Sequence, residues 1–241
     1  MTTAFISDLH VDASTPEIAQ QLAEFLSGRA REFQTLYVLG DLFEAWIGDD
    51  DPNPHFAAVQ DAFGELTKTG VQGFFMHGNR DFLIGEQFAE RTGLKILNDP
   101  VVHQIYETTV LLSHGDLYCT DDTEYQAVRR TVRSPEWQAQ VLALPLDARR
   151  QMAGQARSES ATANAAKSDE IMDVNPDAIV AAMREHSVTH MLHGHTHRPA
   201  IHEWSTPAGD HLRRMVLGDW YTQGSVGIWD EAGFRLETLA R

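Results

Sequence analysis

Five short motifs in this 241-residue chain carry side chains that bind metal ions: SDLH at Ser7–His10, GDLFE at Gly40–Glu44, GNRD at Gly78–Asp81, SHGD at Ser113–Asp116 and HGHTH at His193–His197. Asp8, His10, Asp41, Asn79, His114, His195 and His197 together offer imidazole, carboxylate and amide oxygen but no thiolate. Such a donor set suits Mn²⁺, Mg²⁺, Fe²⁺ or Zn²⁺ better than a soft copper ion. Seven ligands are too many for one tetrahedral ion and fit two ions that share a carboxylate. Paired ions sit roughly 3.5–4 Å apart, clamp the attacking and leaving oxygens of an in-line displacement, and acidify a shared water to hydroxide near neutral pH. Taken singly the motifs say little: Asp-x-His arises by chance, and Gly-Asn-Arg-Asp is good turn chemistry. HGHTH says more, because residues two apart on an extended segment face the same way. The ordered set reads as a two-metal hydrolase.

Each motif lies where an apolar run has just ended. Thr3–Ser7, Leu36–Leu39 and Val71–Met76 read as buried strands. Between and after them, Pro16–Arg29, Phe56–Leu66 and Phe82–Arg91 have helical spacing, with Ser14 or Thr15 as N-cap before Pro16. That rhythm implies parallel pairing with helical crossovers. Short strands follow at Lys95–Leu97, Val101–Tyr106 and Thr109–Ser113, then a helix at Pro176–His186. The strands His190–His193, Ala200–Trp204, Leu212–Val216, Ser225–Trp229 and Phe234–Leu239 complete the pattern. The fold expected is α/β, two packed mixed sheets flanked by helices. Side chains at the carboxyl ends of parallel strands meet in one crevice, so the scattered ligands are expected to converge.

Residues 1–241 read as a single domain carrying an insertion at about 121–173. This stretch is rich in Ala, Gln and Arg, helical in propensity, and holds Arg129, Arg130, Arg133, Arg149, Arg150, Arg157 and Lys167. It is read as a helical cap over the site, with an ordinary surface hairpin as the alternative. The remainder is acidic, and the net charge of −16 argues against nucleic-acid binding. No apolar window is long enough to span a bilayer, and the N-terminus lacks the marks of a signal peptide. The lone cysteine, Cys119, fits a reducing compartment and reads as a small buried residue rather than a nucleophile. Twelve histidines are many for this length, and seven of them fall from His186 to His211.

The motif set resembles the calcineurin-like metallophosphoesterases. The longer strings GDLFEAWIGDD, FMHGNRDFLIG, LSHGDLYCTDD, IMDVNP and HGHTHRPA resemble, within them, the UDP-2,3-diacylglucosamine diphosphatase family of the Gram-negative lipid A pathway. The resemblance runs the length of the chain. It implies two Mn²⁺ ions, one held by Asp8, His10, Asp41 and His197, the other by Asp41, Asn79, His114 and His195, with Asp41 bridging. It implies catalytic roles for Asp41, Asn79, Arg80, His114 and His195. Substrate contacts carry over to Asn79, Arg80, Asp122, Ser160, Asn164, Lys167 and His195. The implied reaction is attack of a metal-activated hydroxide on the α-phosphorus of a lipid-linked sugar nucleotide, giving UMP and lipid X. The implied setting is the cytoplasmic face of the inner membrane, held weakly and peripherally, by a monomer.

Acyl chains require an apolar groove, and Phe43, Ala45, Trp46, Ile47, Phe82, Leu83, Val128, Val132, Trp137 and Met152 are its candidates. Trp46 stands first, because it sits in a loop beside Asp41. A metallophosphoesterase for soluble nucleotide pyrophosphates or cyclic nucleotides, and a metal-free binding scaffold, are the alternative readings. Many members of the wider superfamily have histidine at the Arg80 position, where it protonates an alkoxide. Arginine does not release its proton, but its planar fork neutralises phosphoryl oxygens. The site is therefore expected to favour a leaving group that needs no proton, the phosphate of a pyrophosphate. Arg80→His is expected to shift preference from pyrophosphates toward alkyl phosphodiesters; paired turnover assays showing an unchanged preference would count against this reading.

Overall fold

In the computed structural model, residues 2–165, 171–207 and 209–241 are described, without the side chains of residues 161, 164 and 165. The chain runs β1 (Thr3–Ile6), α1 (Pro16–Ser27), β2 (Thr35–Leu39), α2 (Pro54–Thr67), β3 (Gln72–Met76), α3 (Glu86–Thr92) and β4 (Lys95–Leu97). A hairpin of β5 (Val101–Ile105) and β6 (Thr108–Leu112) leads to three helices, α4 (Thr123–Val132), α5 (Pro135–Leu142) and α6 (Leu146–Ala165). Then come α7 (Pro176–Glu185), β7 (His190–His193), β8 (Ala200–Ser205), β9 (His211–Val216), β10 (Gly224–Asp230) and β11 (Gly233–Leu239).

Among the described residues these strands form two mixed sheets, ordered β11-β10-β1-β2-β3-β4 and β5-β6-β7-β9-β8. Strands β1 to β4 are mutually parallel, as are β6, β7 and β9, while β10, β11, β5 and β8 pair antiparallel. The alternation of strand side chains sorts the core into layers. Phe5, Tyr37 and Leu39 join Val110, Leu112 and Leu192 between the sheets. Ala4, Ile6, Leu36 and Val38 face outward against Ile18, Leu22 and Phe63 of α1 and α2. Leu111 and Met191 meet Ile179 and Met183 of α7 on the far side. Strands buried on both faces explain the unbroken apolar runs.

The expected elements are present with shifted ends, and three local expectations are corrected. Helix α3 begins at Glu86 rather than Phe82, because its N-terminal amides Gly85 N and Phe88 N donate to the carboxylate of Asp49, a cap supplied from a distant loop. Thr15 occupies the N-cap position of α1 without capping through its side chain; Ser14 instead donates to the Asp12 carboxylate. Trp46 is a core residue rather than a groove wall. It is 5% exposed, stacks on Phe56 at 5.6 Å and donates its indole N–H to Asp49. Phe43, Ile47 and Leu83 are likewise buried, whereas Phe82 and Trp137 meet at 6.0 Å half-buried and Val128 and Met152 are exposed.

Candidate metal centre

The motif segments lie at the carboxyl ends of β1, β2, β3, β6 and β7, and the sandwich brings those ends to one rim. Past β1 and β2 the two chains keep pairing, with Asp8 N donating to Gly40 O, His10 N to Asp41 O and Val11 N to Leu42 O. The second sheet is tied in by His195 N, which donates to the Asp8 carboxylate at 2.9 Å, while Gly194 N donates to His114 O and joins the segments after β7 and β6.

This crowding is achieved with unusual backbone. Asp8, His10, Asp41, His195 and His197 all have positive φ, between 52° and 67°. Non-glycine residues seldom adopt that region, and such strain collects at functional sites where surrounding structure enforces it. The motif glycines permit the contact. A Cβ on Gly78 would lie 2.1 Å from Asp41 Oδ1, and one on Gly194 would lie 2.4 Å from both Asp8 Oδ2 and Ser7 Oγ.

Two groups of metal-binding side chains result, Asp8, His10 and His197 in one, and Asp41, His114 and His195 in the other. The Asp41 carboxylate faces both ways: Oδ2 lies 3.7 Å from His10 Nε2 and Oδ1 lies 3.7 Å from His114 Nε2. Asn79 Oδ1 is 2.9 Å from His114 Nε2, so the amide oxygen stands beside the second group. All seven sequence-expected ligands are thus brought together. His10 Nε2 and His197 Nε2 face each other at 3.3 Å; two lone pairs at that distance repel, so a proton or a cation must lie between them. The nitrogen and oxygen donor set fits divalent cations without a thiolate.

Charge at the centre follows from burial among like and unlike neighbours. Burial alone would raise the Asp8 carboxyl, yet the hydrogen bond and charge of His197 hold it well below the usual carboxylate range. Burial alone would lower His114, yet the charges of Asp41, Asp116 and Asp8 push it up to about 9. His195 is pulled down to about 4 by burial and by the neighbouring His114 charge. A cation replacing the His114 proton would satisfy the same carboxylates.

Several supporting residues escaped sequence reading. Glu44, the last residue of GDLFE, accepts from His10 Nδ1 at 2.9 Å, which aims Nε2 into the site. Its other oxygen pairs with Arg157 of α6 at 3.1 Å. His114 is oriented in the same way by donating Nδ1–H to Leu39 O. Asp81 accepts from Gly78 N and Leu42 N, bracing the GNRD turn against the Asp41 loop; burial and the Asp41 charge push its carboxyl up to about 7. Asp116 accepts from Tyr125 Oη at 2.6 Å and Arg129 Nε at 2.9 Å, and Arg133 donates to Gly78 O, so α4 grips both motif loops. The motif pattern shared by GDLFE, GNRD and SHGD was the available signal: each carries an acidic residue beyond the ligand.

A cavity of about 340 Å³ opens on the two groups, and its lining includes Arg80, Asp122, Tyr125, Ser160, Arg198 and Tyr221. Arg80 Nε is buried without a hydrogen-bond partner among the described residues. Asp122 also caps α4, accepting from Tyr125 N. The Asn164 side chain and Lys167 lie outside the described residues. Cys119 is 2% exposed, and burial with the Asp116 charge pushes its thiol up to about 12, which leaves it protonated and not nucleophilic at neutral pH.

A metal-hydrolase centre at the rim of a two-sheet sandwich agrees with the comparisons to known proteins. Residues 1–199 match the calcineurin-like phosphoesterase family model. A UDP-2,3-diacylglucosamine hydrolase of Stenotrophomonas maltophilia is 50% identical, with all of both chains covered. The enzyme of that name from Chromohalobacter salexigens is 50% identical over 100% of this chain and 98% of its own, and that from Aeromonas salmonicida 49% over 98% and 93%. A solved archaeal phosphodiesterase shares the fold, with TM-score 0.50 and 14% identity over 99% of this chain and 100% of its own. The chain belongs to the calcineurin-like phosphoesterases, and within them to the same family as these hydrolases.

Groups that hydrogen-bond the far nitrogen of a metal-bound histidine typically matter by roughly 10–100-fold in affinity. Glu44→Ala is therefore expected to weaken Mn²⁺ binding by roughly 10–100-fold, read by calorimetric titration of the folded protein; affinity equal to wild type would show that His10 is oriented without it.

Proposed function

We propose that this chain hydrolyses the pyrophosphate bond of UDP-2,3-diacylglucosamine to UMP and 2,3-diacylglucosamine 1-phosphate, with attack at the α-phosphorus. The observation that carries the reading is identity of about 50% along the whole chain with hydrolases of that name. The seven converging ligands add a donor set suited to two divalent cations, which supports hydrolysis at phosphorus.

Asp8, His10 and His197 would hold one cation, Asn79, His114 and His195 the other, and Asp41 both; Mn²⁺ is the ion proposed. When bound, such a pair supplies Lewis-acid charge to phosphoryl oxygens and an acidified water. Arg80, with a buried donor left over beside the cavity, neutralises the equatorial oxygens. The departing sugar phosphate leaves without needing a proton, which suits an arginine at this position. Asp122 and Ser160 in the lining, and Asn164 and Lys167 by sequence, position the sugar and its phosphates.

Residues 121–173 act as the cap in this proposal. Its attachment to the site through Arg133 to Gly78 O and Arg157 to Glu44 supports that role. The half-buried contact of Phe82 with Trp137 is where we place acyl chains. Val128 and Met152 are exposed on the same helices as Arg130 and Arg150, a combination that suits weak peripheral attachment to the anionic cytoplasmic face of the inner membrane.

Hydrolysis in H₂¹⁸O with Mn²⁺ is expected to place the label in UMP, read by mass spectrometry; label in the sugar phosphate would move the attack to the other phosphorus. Cosedimentation with phosphatidylglycerol vesicles is expected to fall as salt shortens the Debye length; salt-independent binding, or none at low salt, removes the electrostatic attachment.

A further inference from the structure

The proposed substrate has two ends of opposite character, and the cap accounts for only one. The nucleoside end needs a polar wall with a flat face, and the connection between β9 and β10 offers one. Tyr221 lies there, lining the cavity with Thr196, His197 and Arg198, none of them aliphatic. One face of its ring stacks on His10, centroids 5.3 Å apart at 17°, and the ring edges toward His197 at 5.5 Å. Yet the residue is 47% exposed, among the most exposed large apolar side chains described. With His10 against the ring, exposure of that size leaves ring surface for a further planar partner. Tyr125, the other tyrosine in the lining, is committed: its hydroxyl donates to Asp116 and its ring stacks on His195.

The loop that carries Tyr221 is also held in place. Trp220, fully buried, anchors the preceding position, donating Nε1–H to Ser225 O and packing edge-on against Phe25. Trp220 N donates to Asp8 O, tying the loop to the centre itself. Arg241 donates to the carbonyls of both Trp220 and Tyr221, and Tyr221 N donates to Asp219 Oδ1. These four backbone hydrogen bonds, two at Trp220 and two at Tyr221, hold the loop that carries the ring, so its backbone has less freedom left to lose on binding.

From this geometry we infer that Tyr221 is the stacking platform for the pyrimidine base of the nucleotide half of the substrate. The inference rests on the proposed function and deepens it. A base one ribose away from a phosphate at the metal groups reaches a ring that lies directly on His10. Stacking on an aromatic side chain is sequence-tolerant and strong enough to matter for binding. Apolar acyl chains find no aliphatic partner on this wall, whereas Trp137 of the cap and Phe82 after the GNRD motif offer an apolar contact elsewhere.

The test compares UMP with ribose 5-phosphate as ligands of the Mn²⁺-loaded protein by calorimetry, alongside steady-state hydrolysis of UDP-2,3-diacylglucosamine. Tyr221→Ala is expected to weaken UMP binding and raise KM by roughly 5- to 150-fold, and to leave ribose 5-phosphate affinity within about twofold. Tyr221→Phe, which keeps the ring, is expected to restore both. Equal losses for UMP and ribose 5-phosphate, or a fall in kcat with UMP binding unchanged, would overturn the platform and leave Tyr221 as a support for His10. Wild-type protein that binds UMP through Tyr221 but does not cleave the lipid substrate would instead overturn the proposed function.

Discussion

The structure turns on the Asp41 carboxylate, which presents one oxygen to each of two imidazole groups. For a single short side chain to do this, the loops after β1, β3 and β6 must all come close to the one that carries it. That requirement explains Gly78, which leaves no room for a Cβ beside Asp41, and the Arg80 amide, which donates to Oδ1. It also explains the positive φ of Asp41 itself and of four other ligands. Strained turns of order 1–3 kcal/mol each persist only where packing over-determines them, and the sandwich core beneath supplies that packing.

Gathering so many buried carboxylates is the second constraint. Asp8, Asp41, Asp81 and Asp116 are all nearly inaccessible, and uncompensated charge in such a place is costly. Each is met by a specific donor: the Ser7 hydroxyl and His195 amide at Asp8, the Arg80 amide at Asp41, the Gly78 and Leu42 amides at Asp81, and Tyr125 with Arg129 at Asp116. The donors at Asp116 belong to α4. The helices inserted after the SHGD motif are therefore part of the electrostatic closure of the centre, and α6 adds to it through Arg157 and Glu44. Docking by arginine pairs rather than by a broad apolar face is consistent with the exposed Val128, Leu142 and Met152 on these helices.

What could be read beforehand depended on whether the signal was local. Buried parallel strands announce themselves as apolar runs, so β1, β2, β3 and β7 were legible, as were the ligands that follow them. Helix α3 was misjudged at its start because its cap is Asp49, whose position relative to Gly85 no local pattern encodes. Trp46 was misjudged because a loop position beside a ligand looks like a site wall, whereas here the loop folds back and inserts the indole among Phe43, Phe56 and Phe88. Glu44 stood inside a motif, but which oxygen it would give to His10 and which to Arg157 is a matter of three-dimensional approach.

By itself the sequence determined the donor chemistry, the alternation that builds two buried sheets, and the exchange of a titratable acid for Arg80. Those properties reside in residue type and short-range periodicity, which survive without coordinates. Only the tertiary structure decided that one oxygen of Asp41 turns to each group, that five ligands sit in left-handed turns, and that Tyr221 lies flat on His10. The physical reason is separation along the chain. His10 and His197 are 187 residues apart, and their nitrogens come to 3.3 Å only because the carboxyl ends of two independently ordered sheets share one rim.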